Sequence, residues 1–207
     1  STFWGNHYLD SVMNHAGRFY LENFYKLPFR QTVGNDETVW ESPGYEIPFV
    51  QINRTKKFGS PFEEYHSSLD TPSIIDNKKL NEAFEFLKNS IDIIEKNHLI
   101  KRKFKGLISL SNPKYNLYKA RLDPSTNNFN NFDSEKFGYL QDCIIRYMEG
   151  DMSILDIANK HEIPFFELYE WLKIWEEKKL IELKPMIFDK NTVNSIEAVN
   201  LSWLKED

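Results

Sequence analysis

Leu80, Ala83, Phe84, Leu87, Ile91 and Ile94 recur at helical spacing behind two capping candidates, Asp76 and Asn77. This spacing predicts a helix that ends near Asn97 and carries one apolar stripe. Upstream, Leu9, Val12, Met13, Ala16, Phe19 and Tyr20 predict a second amphipathic helix between Leu9 and Tyr25, ended before Pro28. Phe49-Val50-Gln51-Ile52 reads as a short buried strand. Residues 53–63 read as a loop around the turn signal Phe58-Gly59-Ser60-Pro61. Strand, loop and helix in this order predict the α/β class, as the edge of an α/β sandwich spanning residues 1–100.

After that helix the character of the chain changes. Residues 101–134 form a connector with a short β segment. It opens on the basic cluster Lys101, Arg102, Lys103 and Lys105, continues through Leu107-Ile108-Ser109-Leu110, and ends in the exposed linker Asn127-Asn128-Phe129-Asn130-Asn131. Residues 135–185 have a helical rhythm. A helix from Phe137 to Met148 meets the Gly150-Asp151 turn, and Ser153 caps a short helix from Ile154 to His161. Pro164 opens a third helix with Phe165, Leu168, Leu172 and Trp175 on one side, before a strand at Leu180-Ile181-Glu182-Leu183. Helix, short helix, helix, strand is the order of a winged helix. Residues 186–207 are a tail.

Charge narrows the function classes. The net charge of -5 gives the chain no electrostatic reason to seek phosphate backbones. The third helix of the winged-helix segment agrees: Glu167, Glu170, Glu176 and Glu177 stand where base-reading Arg, Lys, Asn or Gln would be needed. Packing against protein is the role expected of it. Cys143 is the single cysteine, so neither an intrachain disulfide nor a thiolate metal cage is expected, and a reduced cytoplasmic setting fits. No apolar run approaches the roughly 20 residues of a membrane span, and no signal peptide is expected. Trp4, Phe19, Phe24, Trp171 and Trp175 are expected as core or domain-interface anchors.

Two groups of side chains can carry chemistry. His66 has Tyr65 beside it and Asp70 four residues on, a setting that can fix an imidazole tautomer as metal-bound histidines require. A lone histidine is more often a core or surface residue. Asp36 and Glu37 are adjacent carboxylates in a loop; such pairs are usually solvated, but beside a metal they can orient a ligand or bind a substrate amine.

Taken together, Asn35-Asp36-Glu37, Ser42-Pro43-Gly44-Tyr45-Glu46-Ile47-Pro48 and Glu64-Tyr65-His66-Ser67-Ser68-Leu69-Asp70 occur in one order at close spacing. The order resembles the end of the catalytic domain of co-catalytic zinc aminopeptidases and their glutaminyl cyclase relatives. It is closest to bacterial aminopeptidase-like proteins that carry a C-terminal winged helix, and the resemblance covers roughly residues 1–183. It implies an amide or peptide hydrolase with zinc as cofactor and a peptide or amide small molecule as substrate. His66 would be a metal ligand and Asp36 and Glu37 active-site carboxylates. Tyr65 and Asp70 would support the histidine. Asn35 stands where that family usually has serine, and Ser67 where it usually has threonine.

The family's earlier ligand motifs do not occur here, and one histidine with one or two carboxylates falls short of the three protein ligands zinc usually needs. The chain is therefore expected to hold part of an active site. A missing N-terminal portion of the same enzyme, or a partner chain, would supply the rest. The alternative is a non-catalytic interaction module derived from that family.

Overall fold

A computed structural model of the chain describes residues 1–31, 34, 36–55, 62–119 and 134–186. The Phe58-to-Pro61 turn signal, Asn35, the asparagine-rich linker and nearly all of the tail lie outside the described residues. The described residues divide into two compact units, one up to Ser90 and one starting at Ile91. The division falls inside a helix.

The first unit starts from helix α1, Tyr8–Tyr20. Its N-terminus is closed by a reciprocal cap: His7 Nδ1 accepts from Leu9 N–H at 3.1 Å, and the Asp10 carboxylate accepts from His7 N–H at 3.1 Å. Asp10 is also bonded by the Thr2 backbone N–H, at 2.8 Å, and by the Thr2 hydroxyl. These charge-assisted bonds explain how a carboxylate stays buried at the base of a helix. The helix buries Val12, Met13 and Ala16, as its spacing predicts. It ends at Tyr20, earlier than the expected limit of Tyr25. Gly17 lets the next segment return close: a Cβ there would sit 2.3 Å from the ring of Phe24.

A single helical turn, α2 (Glu37–Trp40), follows. Phe49–Ile52 is not a strand. Four apolar residues cannot by themselves distinguish a strand from another half-buried segment, and among the described residues no neighbouring strand takes up their backbone groups. The ring of Phe49 instead stacks on Trp40, 6.2 Å between centroids.

Helix α3 spans Asn77–Lys96, within one residue of the predicted limits. Asp76 caps it, accepting from Lys78 N–H at 2.8 Å and Lys79 N–H at 3.2 Å. The buried face is not the apolar stripe. Phe86, Ser90, Ile93 and Asn97 face inward, while Leu80, Phe84, Leu87 and Ile91 are exposed.

The second unit is built on a three-stranded antiparallel sheet in the order β2-β1-β3. Strand β1, His98–Arg102, follows α3 almost at once and takes the centre. The basic cluster thus begins inside a strand. On one side β1 pairs with β2 (Glu149–Ser153), Leu99 opposite Ser153. On the other it pairs with β3 (Ile181–Pro185), from His98 opposite Pro185 to Arg102 opposite Ile181. Between β1 and β2 comes α4, Ser134–Cys143, extended by a 3-10 turn at Ile144–Tyr147. Helices α5 (Ile154–His161) and α6 (Phe165–Glu177) connect β2 to β3.

Ser153 caps α5 as expected: its hydroxyl accepts from Asp156 N–H at 3.1 Å, and Asp156 accepts from Ser153 N–H at 3.0 Å. Asn97, buried at the end of α3, accepts from Leu155 N–H at 2.8 Å and so joins the start of the sheet to the first turn of α5. The core contains Phe137, Leu140, Ile154, Leu168, Trp171 and Trp175. Trp171 donates to the Leu117 carbonyl at 2.8 Å. Mixed helix with a small antiparallel sheet is the architecture present.

Two outcomes are expected. Alanine normally improves a helix over glycine by up to about 1 kcal/mol, but overpacking costs about 1–3 kcal/mol. Gly17→Ala should therefore lower the urea midpoint, and a raised midpoint would show that the Phe24 ring moves aside freely. His161 is held below the usual histidine pKa by burial and then by Lys160, and its Nε2 lies 3.2 Å from the Tyr147 hydroxyl. The unfolded chain therefore binds a proton more readily than the native one. The stability contributed by neutral His161 is present above its ordinary value of 6.5 and is lost as pH falls through that value towards the lower folded one. His161→Gln should flatten urea midpoints across that window, and an unchanged slope would remove His161 as its cause.

Candidate functional site

Within the first unit a cavity of about 610 Å³ opens between the end of α1, the segment 21–30, the start of α2 and residues 50–55. Its size is that of a small-molecule site. Met13, Phe24, Phe29, Ile52 and Phe86 supply apolar wall. Asn14, Asn23, Gln51 and Asn53 add neutral hydrogen-bonding groups.

Glu37 is the carboxylate that makes this cavity chemically specific. It is the first residue of α2, a turn closed by Glu41 N–H on the Glu37 carbonyl at 3.0 Å. That short turn directs two neighbouring carboxylates differently: Glu37 is buried and lines the cavity, while Asp36 is exposed. Arg30 Nε lies 3.3 Å from Glu37 Oε1, and the Arg30 side chain is itself half exposed. Arg30 has a φ of +56°, in the left-handed region that favours glycine. A Cβ on Gly34 would meet the Arg30 guanidinium at 2.6 Å, so the glycine makes room for that arginine.

The other charged groups of the cavity are already engaged. Asp10 is held by Thr2 and His7, and Arg54 pairs with Glu82 at 2.5 Å. Arg30, Asp10 and the Arg54–Glu82 pair carry no motif that marks them in the sequence. Only the His7-x-x-Asp10 spacing, that of a capping box, could have drawn attention to Asp10.

His66 and its neighbours form a separate exposed turn. Tyr65 N–H donates to the Phe62 carbonyl at 3.1 Å, Ser67 N–H to Glu64 at 3.1 Å, and Asp70 N–H to Ser67 at 3.2 Å. His66 has a φ of +57°. Its ring stacks on Tyr65 with 3.9 Å between centroids and 16° between planes. Tyr65 thus contacts the imidazole, whereas no hydrogen bond joins it to Asp70. Among the described residues no strand precedes this turn. Asp36, Tyr65, His66 and Asp70 are not among the residues lining the cavity that holds Glu37.

Among the described residues no three His, Cys, Asp or Glu side chains gather where they could share a metal ion. The residues present therefore do not fit a zinc centre by themselves.

A family model described as a domain of unknown function (DUF4910) matches residues 2–97, somewhat less than half of the chain. Comparison with curated proteins finds no match. Among solved structures, the chain is similar to a crystal structure described as that of a "putative peptidase" from Clostridium acetobutylicum, with a TM-score of 0.64 and 18% identity. The likeness is one of fold. It covers 88% of this chain but 37% of that one, so this chain spans little more than a third of its neighbour's length. No helix among the described residues is long and apolar enough to cross a membrane.

The ion pair predicts a thermodynamic cycle. Arg30→Gln should destabilise the chain by about 1 kcal/mol, because a buried carboxylate then loses the cation beside it. Glu37→Gln in the same background should recover most of that loss, as urea unfolding of the four variants would measure. Additive losses would mean that the two side chains do not act as a pair.

Proposed function

We propose that this chain contributes part of the active site of an aminopeptidase-type amide or peptide hydrolase, with Glu37 receiving the substrate's ammonium group. The observation that carries the reading is the buried Glu37 carboxylate in a cavity of mixed lining with apolar walls at Met13, Phe24, Phe29 and Phe86. A fold shared with a chain described as a peptidase supports it. A carboxylate already removed from water is preorganised to hold a cation, and Arg30 beside it is exposed enough to be displaced or to turn outward. The walls at Met13, Phe24 and Phe86 suit an apolar side chain on the same substrate.

In this reading the first unit is one part of an α/β sandwich. His66 would be one ligand of a zinc ion whose remaining ligands come from a missing N-terminal portion or a partner chain. Zinc would supply an activated water when bound. Tyr65, stacked on His66, keeps the ring from turning freely, and Asp36 offers an exposed carboxylate beside Glu37. Asp70 lies four residues from His66 and would serve it only after the turn closes.

The second unit supports a winged-helix reading through its order α4, β2, α5, α6, β3, with β1 completing the sheet. The acidic residues of α6 favour a protein-facing role for it over nucleic acid. The second function class, a non-catalytic interaction module, gains support from the exposed apolar side chains of α3.

Titration calorimetry with phenethylamine and phenylpropionate separates these readings. The amine should bind, the carboxylate should not, and Glu37→Gln should weaken the amine at least tenfold. Equal binding of the amine to Glu37→Gln, or none to the parent chain, would remove Glu37 as the ammonium site. In the complete enzyme purified without chelators, bound zinc should fall in His66→Ala; unchanged stoichiometry would remove His66 from the metal.

A further inference from the structure

Asp10, Lys26, Arg30, Glu37 and Arg54 are the charged side chains that line the cavity of the first unit. Three of them are turned to other partners. Asp10 accepts from Thr2 and His7, and Lys26 donates to the Gly5 carbonyl at 3.0 Å. Arg54 Nη2 meets Glu82, a residue outside the lining, at 2.5 Å. Arg30 and Glu37 are instead paired with each other, Nε to Oε1 at 3.3 Å. The cavity wall thus presents a cation and an anion side by side, the carboxylate buried and the guanidinium half exposed. The contact with Glu37 uses Nε, and the terminal nitrogens of an arginine fork suit a carboxylate.

A lone ammonium on Glu37 brings a second cation beside Arg30. A zwitterion does not. In an α-amino acid the nitrogen and the carboxyl carbon are about 2.5 Å apart, as the bond lengths and the angle at Cα require. Its two charges are therefore neighbours, as those of Arg30 and Glu37 are. We propose that the ligand this site fits best is a free α-amino acid with an apolar side chain, its ammonium on Glu37 and its carboxylate on Arg30. Four charges then alternate in sign around a small ring. No net charge enters the cavity, and the ion pair need not open. Phe24, Phe29 and Phe86 line the same cavity and receive the side chain.

This inference rests on the reading of Glu37 as the ammonium site and names the molecule that site holds. When an amide is hydrolysed, the oxygen of water joins the carbonyl carbon and the C–N bond breaks. The nitrogen leaves as an ammonium with both protons of the water. A carbonyl that was neutral in the substrate becomes the carboxylate that Arg30 meets. The amino acid released from an N-terminus is thus a product that the cavity retains, in competition with further substrate.

Titration calorimetry at pH 6 with L-phenylalanine and L-phenylalaninamide tests this, because both carry the ammonium there and only the first carries a carboxylate. The acid should bind about tenfold tighter than the amide, as one charge-assisted contact supplies. That preference should disappear in Arg30→Gln, and both ligands should weaken in Glu37→Gln. Equal binding of acid and amide by the parent chain would overturn the inference, and the ammonium reading would still stand if Glu37→Gln weakened both. A preference for the acid that survives Arg30→Gln would also overturn it, since Lys26 or Arg54 would then hold the carboxylate. Binding of neither ligand would overturn the inference and the ammonium reading together.

Discussion

A strand in the middle of a sheet must have both of its edges satisfied, and His98–Arg102 is placed there directly after a 20-residue helix. Its partners come from residues 149–153 and 181–185, far along the chain. The second unit follows from meeting that requirement. Everything between the two partner strands must form a compact return, and α5 and α6 do so by burying Ile154, Leu168 and Trp171. Asn97 strengthens the junction, because its side chain caps α5 from the residue just before the strand. A backbone requirement, a buried amide and an apolar core therefore reinforce one another.

The first unit depends on a different kind of constraint. It holds two buried acids, Asp10 and Glu37, and solves their desolvation in different ways. Asp10 is bonded by two backbone N–H groups and a hydroxyl, which fixes it as a structural group at the foot of α1. Glu37 faces a cavity and has a half-exposed guanidinium beside it. The first arrangement leaves little room for chemistry. The second leaves a carboxylate that an incoming cation can reach.

How far the sequence could be read varied with the range of the interactions involved. The Ser153 cap and the limits of α3 and α5 were legible, because capping and helical periodicity act over a few residues. The apolar run at Phe49–Ile52 was misleading, because a strand exists only through a partner that the run itself does not specify. The apolar stripe of α3 identified the helix correctly and its buried face wrongly. Packing selected Phe86, Ser90, Ile93 and Asn97 through contacts made elsewhere in the chain.

Of the candidate site, the sequence marked Asp36 and Glu37 together and could not separate them; one helical turn did, by exposing the first and burying the second. It also marked Tyr65 beside His66, and the two rings do stack. Arg30 was invisible, since its meeting with Glu37 depends on how the intervening loop closes rather than on any spacing. By itself the sequence determined α3 and α5 with their Asp76 and Ser153 caps, the acidic balance and the adjacency of its carboxylates, because these arise from neighbours along the chain. Only the tertiary structure decided which carboxylate left water, which cation accompanied it and which helix face stayed bare. Burial is a property of all the surrounding elements at once.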